Sequence, residues 1–234
     1  MFKIRSFRAI SDKESSLKFA EGHSRVLTSI GIKKVSSAEP DWISNPGAYC
    51  IIVESVDGEK VYGGARIQLK SETYPLPLEE AIGKLDPKIH EVVGEYSKDG
   101  TAELCGLWNS REVAGMGIGS TLLVRACVAR AGLALADQLQ INSLFALCAS
   151  YTLRMALGTG FEVEQSVGDN GKFPYPKKDF IALAAVHKNL SDLSTAKPLE
   201  KEAITSLRNK PYQEREEKGP KGISTVIYDL RLND

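Results

Sequence analysis

The chain has 234 residues, 42% of them hydrophobic, which is enough to bury the core of one large globular domain or of a domain with an extension. Thirty basic and thirty acidic residues cancel, so no overall charge attracts the chain to nucleic acid or to an anionic membrane. No apolar run reaches the roughly 18 residues that span a bilayer, and the first residues alternate charge with hydrophobe, unlike a signal peptide. We therefore expect a cytoplasmic protein with no membrane span and no nucleic-acid partner.

The N-terminal part of the chain predicts a strand, a helix and two strands of a hairpin, at residues 2–10, 11–30, 48–56 and 59–69. Asp57-Gly58 separates the last two runs and favours the positive φ of a hairpin turn. Gly63 and Gly64 lie inside the second strand of this hairpin, where glycine predicts a bulge or a close contact.

A long insertion at about residues 70–100 follows, and insertions of this length inside a compact domain are often functional. The next elements form a β-α-β unit and a final pair of core strands, which we place at residues 101–108, 117–139, 141–149, 151–160, 161–167 and 179–188. The remaining residues are polar, with one helical pattern at 199–210 and a strand-like run at 223–232 that predicts a return to a sheet.

The four cysteines predict buried thiols. Cys50, Cys105, Cys127 and Cys148 lie among apolar neighbours, with no Cys-x-x-Cys pair and no histidine at ligand spacing. We therefore expect no metal site.

Gly115, Gly117 and Gly119 occupy alternate positions just where the long helix must begin. Glycine weakens a helix by about 1 kcal/mol relative to alanine, so this spacing predicts that a ligand approaches the backbone closely. A phosphate suits the unpaired N–H groups and the positive dipole of a helix start. A nucleotide P-loop would need a lysine where Ser120 stands, and the glycines do not complete the Gly-x-Gly-x-x-Gly dinucleotide fingerprint.

The order of strand, Gly-rich turn, long helix, apolar strand, short helix and Gly-Phe pair resembles the GNAT superfamily of acyl-CoA-dependent N-acyltransferases. Residues 114–119 match its central motif, Gln/Arg-x-x-Gly-x-Gly/Ala. The resemblance implies an α/β fold, layered as α+β, with a mixed and mostly antiparallel central sheet that is flanked by helices and splayed at the acyl-CoA site. It covers residues 1–188 and leaves 189–234 as an extension with one helix and a final strand.

The resemblance also implies where acyl-CoA binds. The pantetheine arm pairs with the strand before the turn, and the pyrophosphate lies on the turn. The implied donor-binding residues are Leu107, Trp108, Asn109, Ala114, Gly115, Met116, Gly117, Ile118, Gly119 and Ser120. Ala114 replaces the usual Gln or Arg, and either Arg111 or Arg125 is a candidate to supply that cation, unless the backbone N–H groups suffice.

Two residues carry the implied chemistry. Glu103 stands where histone-acetyltransferase-like members of the family have a general base, and its alternative is a solvated strand carboxylate. The usual general acid is a tyrosine at the position of Ala156, so Tyr151 is the remaining candidate. Tyr151 could instead be a packing residue, and direct proton return would need no acid.

Residues 63–77 resemble, more loosely, acyl-homoserine-lactone synthases and N-acyl amino acid synthases, which load long acyl chains. Arg66 and Tyr74 are the implied substrate-binding residues of this segment, with an ordinary strand cation and a lid as the alternatives. Phe173 and Tyr175, held between prolines, predict a second wall of the acceptor site.

Three functions follow from these resemblances. The favoured one transfers an acetyl group from acetyl-CoA to a primary amine of a small molecule or peptide, with no metal. The second is a long-chain N-acyl amino acid or acyl-homoserine-lactone-type synthase, which takes its donor from acyl-CoA or acyl carrier protein. The third is a non-catalytic acyl-CoA sensor. A homodimer is a possible assembly for each.

Overall fold

A computed structural model describes residues 1–32, 40–117 and 119–232 of the chain. The strands in this part of the chain are β1 (Phe2–Arg8), β2 (Ala48–Glu54), β3 (Val61–Leu69), β4 (Thr101–Asn109), β5 (Ser143–Ala149), β6 (Glu162–Val163), β7 (Lys172–Pro174), β8 (Ile181–His187), β9 (Tyr212–Gly219) and β10 (Gly222–Asp229). The α-helices are α1 (Lys13–Ser29), α2 (Pro77–Ile82), α3 (Lys88–Ser97), α4 (Arg111–Gly115), α5 (Ser120–Gln138), α6 (Ser150–Gly158) and α7 (Pro198–Asn209).

The strands form one mixed sheet in the order β6-β8-β5-β4-β3-β2-β1-β10-β9, and β7 also pairs with β8. Only the β4–β5 and β1–β10 pairs are parallel, so the mixed, mostly antiparallel sheet that the resemblance implied is confirmed. Helix α5 packs on one face against a core from β1 to β5. Helix α1 packs on the other face, where Phe19 and Trp108 lie in a second core.

Strands β4 and β5 pair only along their first three residues, Thr101–Glu103 with Ser143–Phe145. Beyond Glu103, β4 remains bonded to β3 and β5 remains bonded to β8, but the two no longer pair with each other. The sheet is therefore splayed between the carboxyl-terminal halves of its two central strands.

A β-bulge bends β4 where the splay begins. Arg66 pairs with Cys105 and Gly64 with Trp108, so two residues of β4 oppose one residue of β3. The extra residue adopts the left-handed region at Gly106, with φ of +62°, and bulges of this kind bend a strand. The bulge predicted near Gly64 is thus confirmed, but its extra residue lies on β4. Gly64 itself lies so close to the Ile51 carbonyl that a side chain there would clash with it.

The C-terminal extension continues the same sheet. Strand β10 lies parallel to β1, which confirms the predicted return of the chain. The prediction of one helix and one strand missed β9, because its sequence YQEREEKG lacks apolar alternation. β9 forms the outer edge of the sheet, where charged side chains are tolerated and also discourage edge-to-edge association.

A buried ion network attaches the extension to α5. Arg130 donates to both carboxylate oxygens of Glu200 on α7, at 2.6 and 2.9 Å, and to Glu217 on β9. Glu217 also accepts from the Tyr228 hydroxyl at 2.8 Å. Because Arg130 and Glu217 are both buried, removing one partner would leave a buried charge unpaired.

No helix in the described ranges is long and apolar enough to cross a membrane. The four cysteines are free and buried, as predicted. Burial raises the pKa of the Cys50 thiol to about 12, so this thiol stays protonated and unreactive. Within residues 1–32, 40–117 and 119–232, no group of three or more side chains could hold a metal ion.

Candidate active site

The splay between β4 and β5 contains a cavity of about 490 Å³. Helices α5 and α6 form its wall on one face of the sheet, and α1, α2 and the segment before β8 form its wall on the other. Its lining is mostly apolar, with Leu27, Leu78, Leu104, Leu147, Met155 and Phe180 among its residues. The cavity therefore crosses the sheet and resembles the small-molecule sites of other proteins in size and lining.

Glu103 lines this cavity at the last paired position of β4, opposite Phe145. It is only 2% exposed, so it is not a solvated strand carboxylate. Its Oε2 accepts the backbone N–H of Leu78, in the first turn of α2, at 2.6 Å. Burial raises the pKa of Glu103 to about 8, although the Leu78 bond and the charge of Arg66 oppose the increase.

Arg66 lies behind the cavity wall and is itself 2% exposed. Its guanidinium carbon lies 4.5 Å from the ring centroid of Trp42, within cation–π range. Nε and Nη1 have no hydrogen-bond partner among the described residues. Burial, followed by the charge of Arg66, lowers the pKa of His23 to about 4, so this cavity-lining imidazole is neutral.

Tyr151 stands at the open end of the cavity with 68% of its surface exposed. The guanidinium of Arg125 lies 5.3 Å from its ring centroid, and the Arg125 Nε donates to the Asn109 Oδ1 at 2.8 Å. The structure thus brings three predicted residues together. Tyr151 is the candidate general acid, Asn109 is a predicted donor-binding residue on β4, and Arg125 is one candidate for the cation that Ala114 does not supply.

The glycine turn lies between α4, which ends at Gly115, and α5, which begins at Ser120. Gly117 and Gly119 have φ of +73° and +70°, a conformation that side chains disfavour. Apart from its chain neighbours, no atom of the described residues lies within 4 Å of a Cβ placed at Gly117. The turn therefore needs glycine for its backbone and leaves open space beside it, while the Ser120 hydroxyl is already bonded to the Gly117 carbonyl.

The other predicted residues divide between the cavity and its surroundings. Leu107 and Tyr175 line the cavity, whereas Phe173 is buried in the core beside α2 and α3. The Trp108 side chain points to the α1 face, where a Cβ on Gly22 would lie 2.1 Å from its ring. Tyr74 lies in the turn before α2, outside the cavity lining.

Four donor-binding predictions concern residues on or next to α4. Ala114 and Gly115 lie within this short helix, so Gly115 is not part of the turn, and Met116 caps the helix as an exposed residue. Ile118 lies outside the described residues.

Sequence reasoning missed the walls that come from distant parts of the chain. His23 and Leu27 on α1, Ala81 on α2 and Phe180 before β8 all line the cavity. Each belongs to an amphipathic or apolar segment that looks like ordinary core in sequence. The signal that could have found Leu78 and Ala81 is the insertion itself, since α2 forms part of it.

Stability should depend on pH through Glu103. The native carboxyl keeps its proton between pH about 4.5 and 8, where the unfolded chain has lost it, so stability falls as pH rises through this window, by on the order of 5 kcal/mol. Glu103→Gln keeps an acceptor for the Leu78 N–H and removes the titration, so its stability should change much less over this range. Urea unfolding at several pH values measures the effect, with Glu95→Gln as an exposed control that should keep the wild-type slope. A wild-type slope in Glu103→Gln would contradict the assignment.

Known structures share this architecture, although no protein-family model and no curated protein matches the sequence. FeeM, an N-acyl amino acid synthase from uncultured soil microbes, superimposes with a TM-score of 0.62 at 15% identity, over 86% of this chain and 98% of FeeM. BjaI, a CoA-dependent acyl-homoserine lactone synthase, superimposes with a TM-score of 0.56 at 14% identity, over 90% of this chain and 91% of BjaI. The acyl-homoserine lactone synthase LasI gives 0.53 at 14% identity, over 88% and 94%. The chain therefore has a GNAT-like fold, similar to that of these synthases.

Proposed function

We propose that this chain is an N-acyltransferase that moves a medium- or long-chain acyl group from an acyl-CoA thioester to a primary amine. The observation that carries the proposal is the 490 Å³ apolar cavity that crosses the sheet beside Glu103. An acetyl group needs only a small pocket, so the cavity favours the long-chain alternative over acetyl transfer. The structure of BjaI contains isopentyl-CoA, and the likeness in fold agrees with this choice of donor.

The donor site in this proposal follows the unpaired edge of β4. After Glu103 the strand pairs with no described residue on the β5 side, so its main-chain groups there are available to the amides of a pantetheine arm. The open space at Gly117 and the start of α5 would receive the pyrophosphate. Arg125, held by Asn109, stands between these two regions.

The acceptor amine would enter from the α1 and α2 face, where Tyr175 lines the cavity. FeeM is an N-acyl amino acid synthase, so an amino acid is the acceptor class to test first. Arg66 would act on such an acceptor by its positive charge and without direct contact, because its guanidinium does not line the cavity. It contributes a positive field behind Glu103 and His23.

The chemistry has four bond changes. The neutral amine attacks the thioester carbon and the N–C bond forms, while the Glu103 carboxylate takes the proton that the amine loses. The C–S bond then breaks and the thiolate takes a proton. Tyr151 at the mouth of the cavity is the candidate donor of that proton. Tyr151 then regains a proton from solvent and Glu103 releases the proton of the amine to solvent, so both groups return to their starting states.

Glu103→Gln should lower turnover by roughly 10² to 10⁴-fold, because it removes the base and keeps the shape. Wild-type turnover should rise with pH as Glu103 ionises near pH 8, and this inflection should be absent in the variant. Affinity for octanoyl-CoA, measured by calorimetry, should be nearly unchanged, since the phosphate site is remote from Glu103. Full turnover of the variant across this pH range would remove Glu103 from the mechanism.

The acyl chain should be selected by the cavity. Wild-type enzyme should use octanoyl- or decanoyl-CoA with a higher kcat/KM than acetyl-CoA. Ala81→Phe fills part of the cavity from α2 and should lower kcat/KM for the long donors by about tenfold or more, the loss expected when a pocket cannot hold several methylenes. Acetyl-CoA turnover of the same variant is the internal control, because an equal loss with acetyl-CoA would show that Ala81→Phe obstructs the amine and not the acyl chain. Preference for acetyl-CoA in the wild type would contradict the proposal.

Gly117→Trp should weaken octanoyl-CoA binding by at least about tenfold, because the indole would occupy the space proposed for phosphate. Gly58→Trp is the matched control: Gly58 has φ of +77°, and its Cβ also meets no atom within 4 Å. Both changes strain the backbone by roughly 1 to 2 kcal/mol, so thermal melts should shift similarly. Equal donor affinity in the two variants would place the donor elsewhere. Firm binding without amine acylation by the wild type would favour the sensor.

A further inference from the structure

A second cavity, of about 420 Å³, lies between α5 and α6. Leu122 and Ala126 on α5 line one side of it. Tyr151 and Met155 on α6 line both this cavity and the larger one. The second cavity therefore forms a groove between α5 and α6 that adjoins the larger cavity at Tyr151 and Met155.

The C-terminal extension completes this second cavity. Pro220, in the β9–β10 turn, packs so closely on the glycine turn that a Cβ at Gly119 would lie 2.8 Å from its Cγ. Gly219 packs equally closely on Leu123 in the first turn of α5. Lys197, just before α7, lies with its aliphatic stem against Gly158 at the end of α6. The GNAT-like core alone would leave this groove open on one side.

The lining of the second cavity carries excess positive charge. Arg130, Arg154, Lys197 and Lys218 line it, against the single carboxylate of Glu200. Both oxygens of Glu200 accept from Arg130, so this pair is internally neutralised. Arg154, Lys197 and Lys218 form no ion pair within the described part of the chain and come from three separate elements around one opening. Such an arrangement suits a ligand with more than one negative charge.

We infer that the second cavity binds the 3′-phosphorylated adenosine portion of coenzyme A, and that Lys197 and Lys218 of the C-terminal extension contact its phosphates. The inference rests on the proposed acyl-CoA donor. A nucleotide has a flat aromatic base, whose faces pack against side chains such as those of Leu122, Ala126 and Met155, and phosphates for the lysines. The volume lies within the range of about 300 to 1,000 Å³ that is usual for small-molecule sites.

A carrier protein fits these features less well. Its phosphopantetheine brings one phosphate and no nucleotide, so the apolar side of the concave cavity would stay unfilled. This cavity adjoins the splayed gap at Tyr151 and Met155, so its position suits the nucleotide end of a coenzyme A molecule whose thioester lies in the gap. The extension therefore acts as a determinant of donor specificity in addition to its place in the sheet.

Calorimetric titration of the full chain with coenzyme A and with dephospho-coenzyme A tests the inference, because the two differ only in the 3′-phosphate. Wild type should bind coenzyme A roughly tenfold more tightly, as expected for a charge-assisted phosphate contact. The double variant Lys197→Gln, Lys218→Gln should bind the two ligands within about twofold of each other. Lys221→Gln is the matched control, since Lys221 is an exposed lysine of the same hairpin turn that does not line the cavity; it should keep the wild-type preference.

Other outcomes separate this inference from the proposed function. Acyl transfer from acyl-CoA with no preference for the 3′-phosphate would overturn the inference and leave the proposed function intact. A preference that survives the double change would overturn the assignment of the lysines. Selective loss of turnover with a carrier-borne donor in the double variant would also overturn it, in favour of carrier docking. A preference that depends on the two lysines without any acylation would support the inference and contradict the proposed function.

Discussion

The parallel pairing of β4 with β5 ends after Glu103, and the remaining features of the site depend on this interruption. Buried backbone groups need partners, so two central strands can separate only where something else satisfies or hydrates their facing edges. The bulge at Gly106 turns β4 away from β5. Each strand then leads into a different helix, β4 through α4 into α5 and β5 directly into α6, and these helices keep the strands apart. The gap between β4 and β5 thereby provides the unpaired main-chain edge of β4, the apolar cavity and the buried position of Glu103.

The electrostatics of the gap follow from burial. The Glu103 carboxyl is 2% exposed and keeps its proton up to about pH 8. Its pKa is therefore closer to that of an amine than the pKa of an exposed glutamate would be, which favours proton transfer between the two. His23 is kept neutral by the same burial and by Arg66. Arg66 lies behind the wall against Trp42, so its charge acts on the cavity without filling it. One buried cation thus opposes the rise in the pKa of Glu103 and contributes to the fall in the pKa of His23.

Local patterns made part of this architecture predictable. Alternate glycines before an apolar helix identified the turn at Gly117, and the positive φ angles of Gly117 and Gly119 explain why glycine is favoured there. The position of Glu103 before that turn indicated a carboxylate on β4, but only the tertiary packing of α2 shows that it is buried. The β3–β4 bulge was predicted from Gly63 and Gly64, but its extra residue on β4 was missed, because a single glycine such as Gly106 in an apolar strand looks like a small core residue. The polar strand β9 was missed because edge pairing, not hydrophobic alternation, determines its conformation.

Residues that meet across the sheet could not be paired from sequence. Leu27 and Met155 belong to different helices on opposite faces, and each has the pattern of a core residue. Phe173 and Tyr175 are two residues apart and were predicted to act together. The first is buried beside α2 and α3, while the second lines the cavity. Which of them reaches the site depends on the register of β7 with β8 and on the path of the segment after Pro174.

Hydrogen–deuterium exchange with and without saturating decanoyl-CoA tests most directly whether the splayed gap receives the donor. Amides that face the gap in Leu104–Leu107 of β4 and Leu147–Ala149 of β5 lack a mutual strand partner, so their exchange should slow when a pantetheine arm and an acyl chain occupy the space. Amides of β10, which pair with β1 at the far side of the sheet, should be unaffected. Protection confined to other regions, with unchanged exchange in β4 and β5, would contradict the central claim that the interrupted β4–β5 pair is the acyl-donor site.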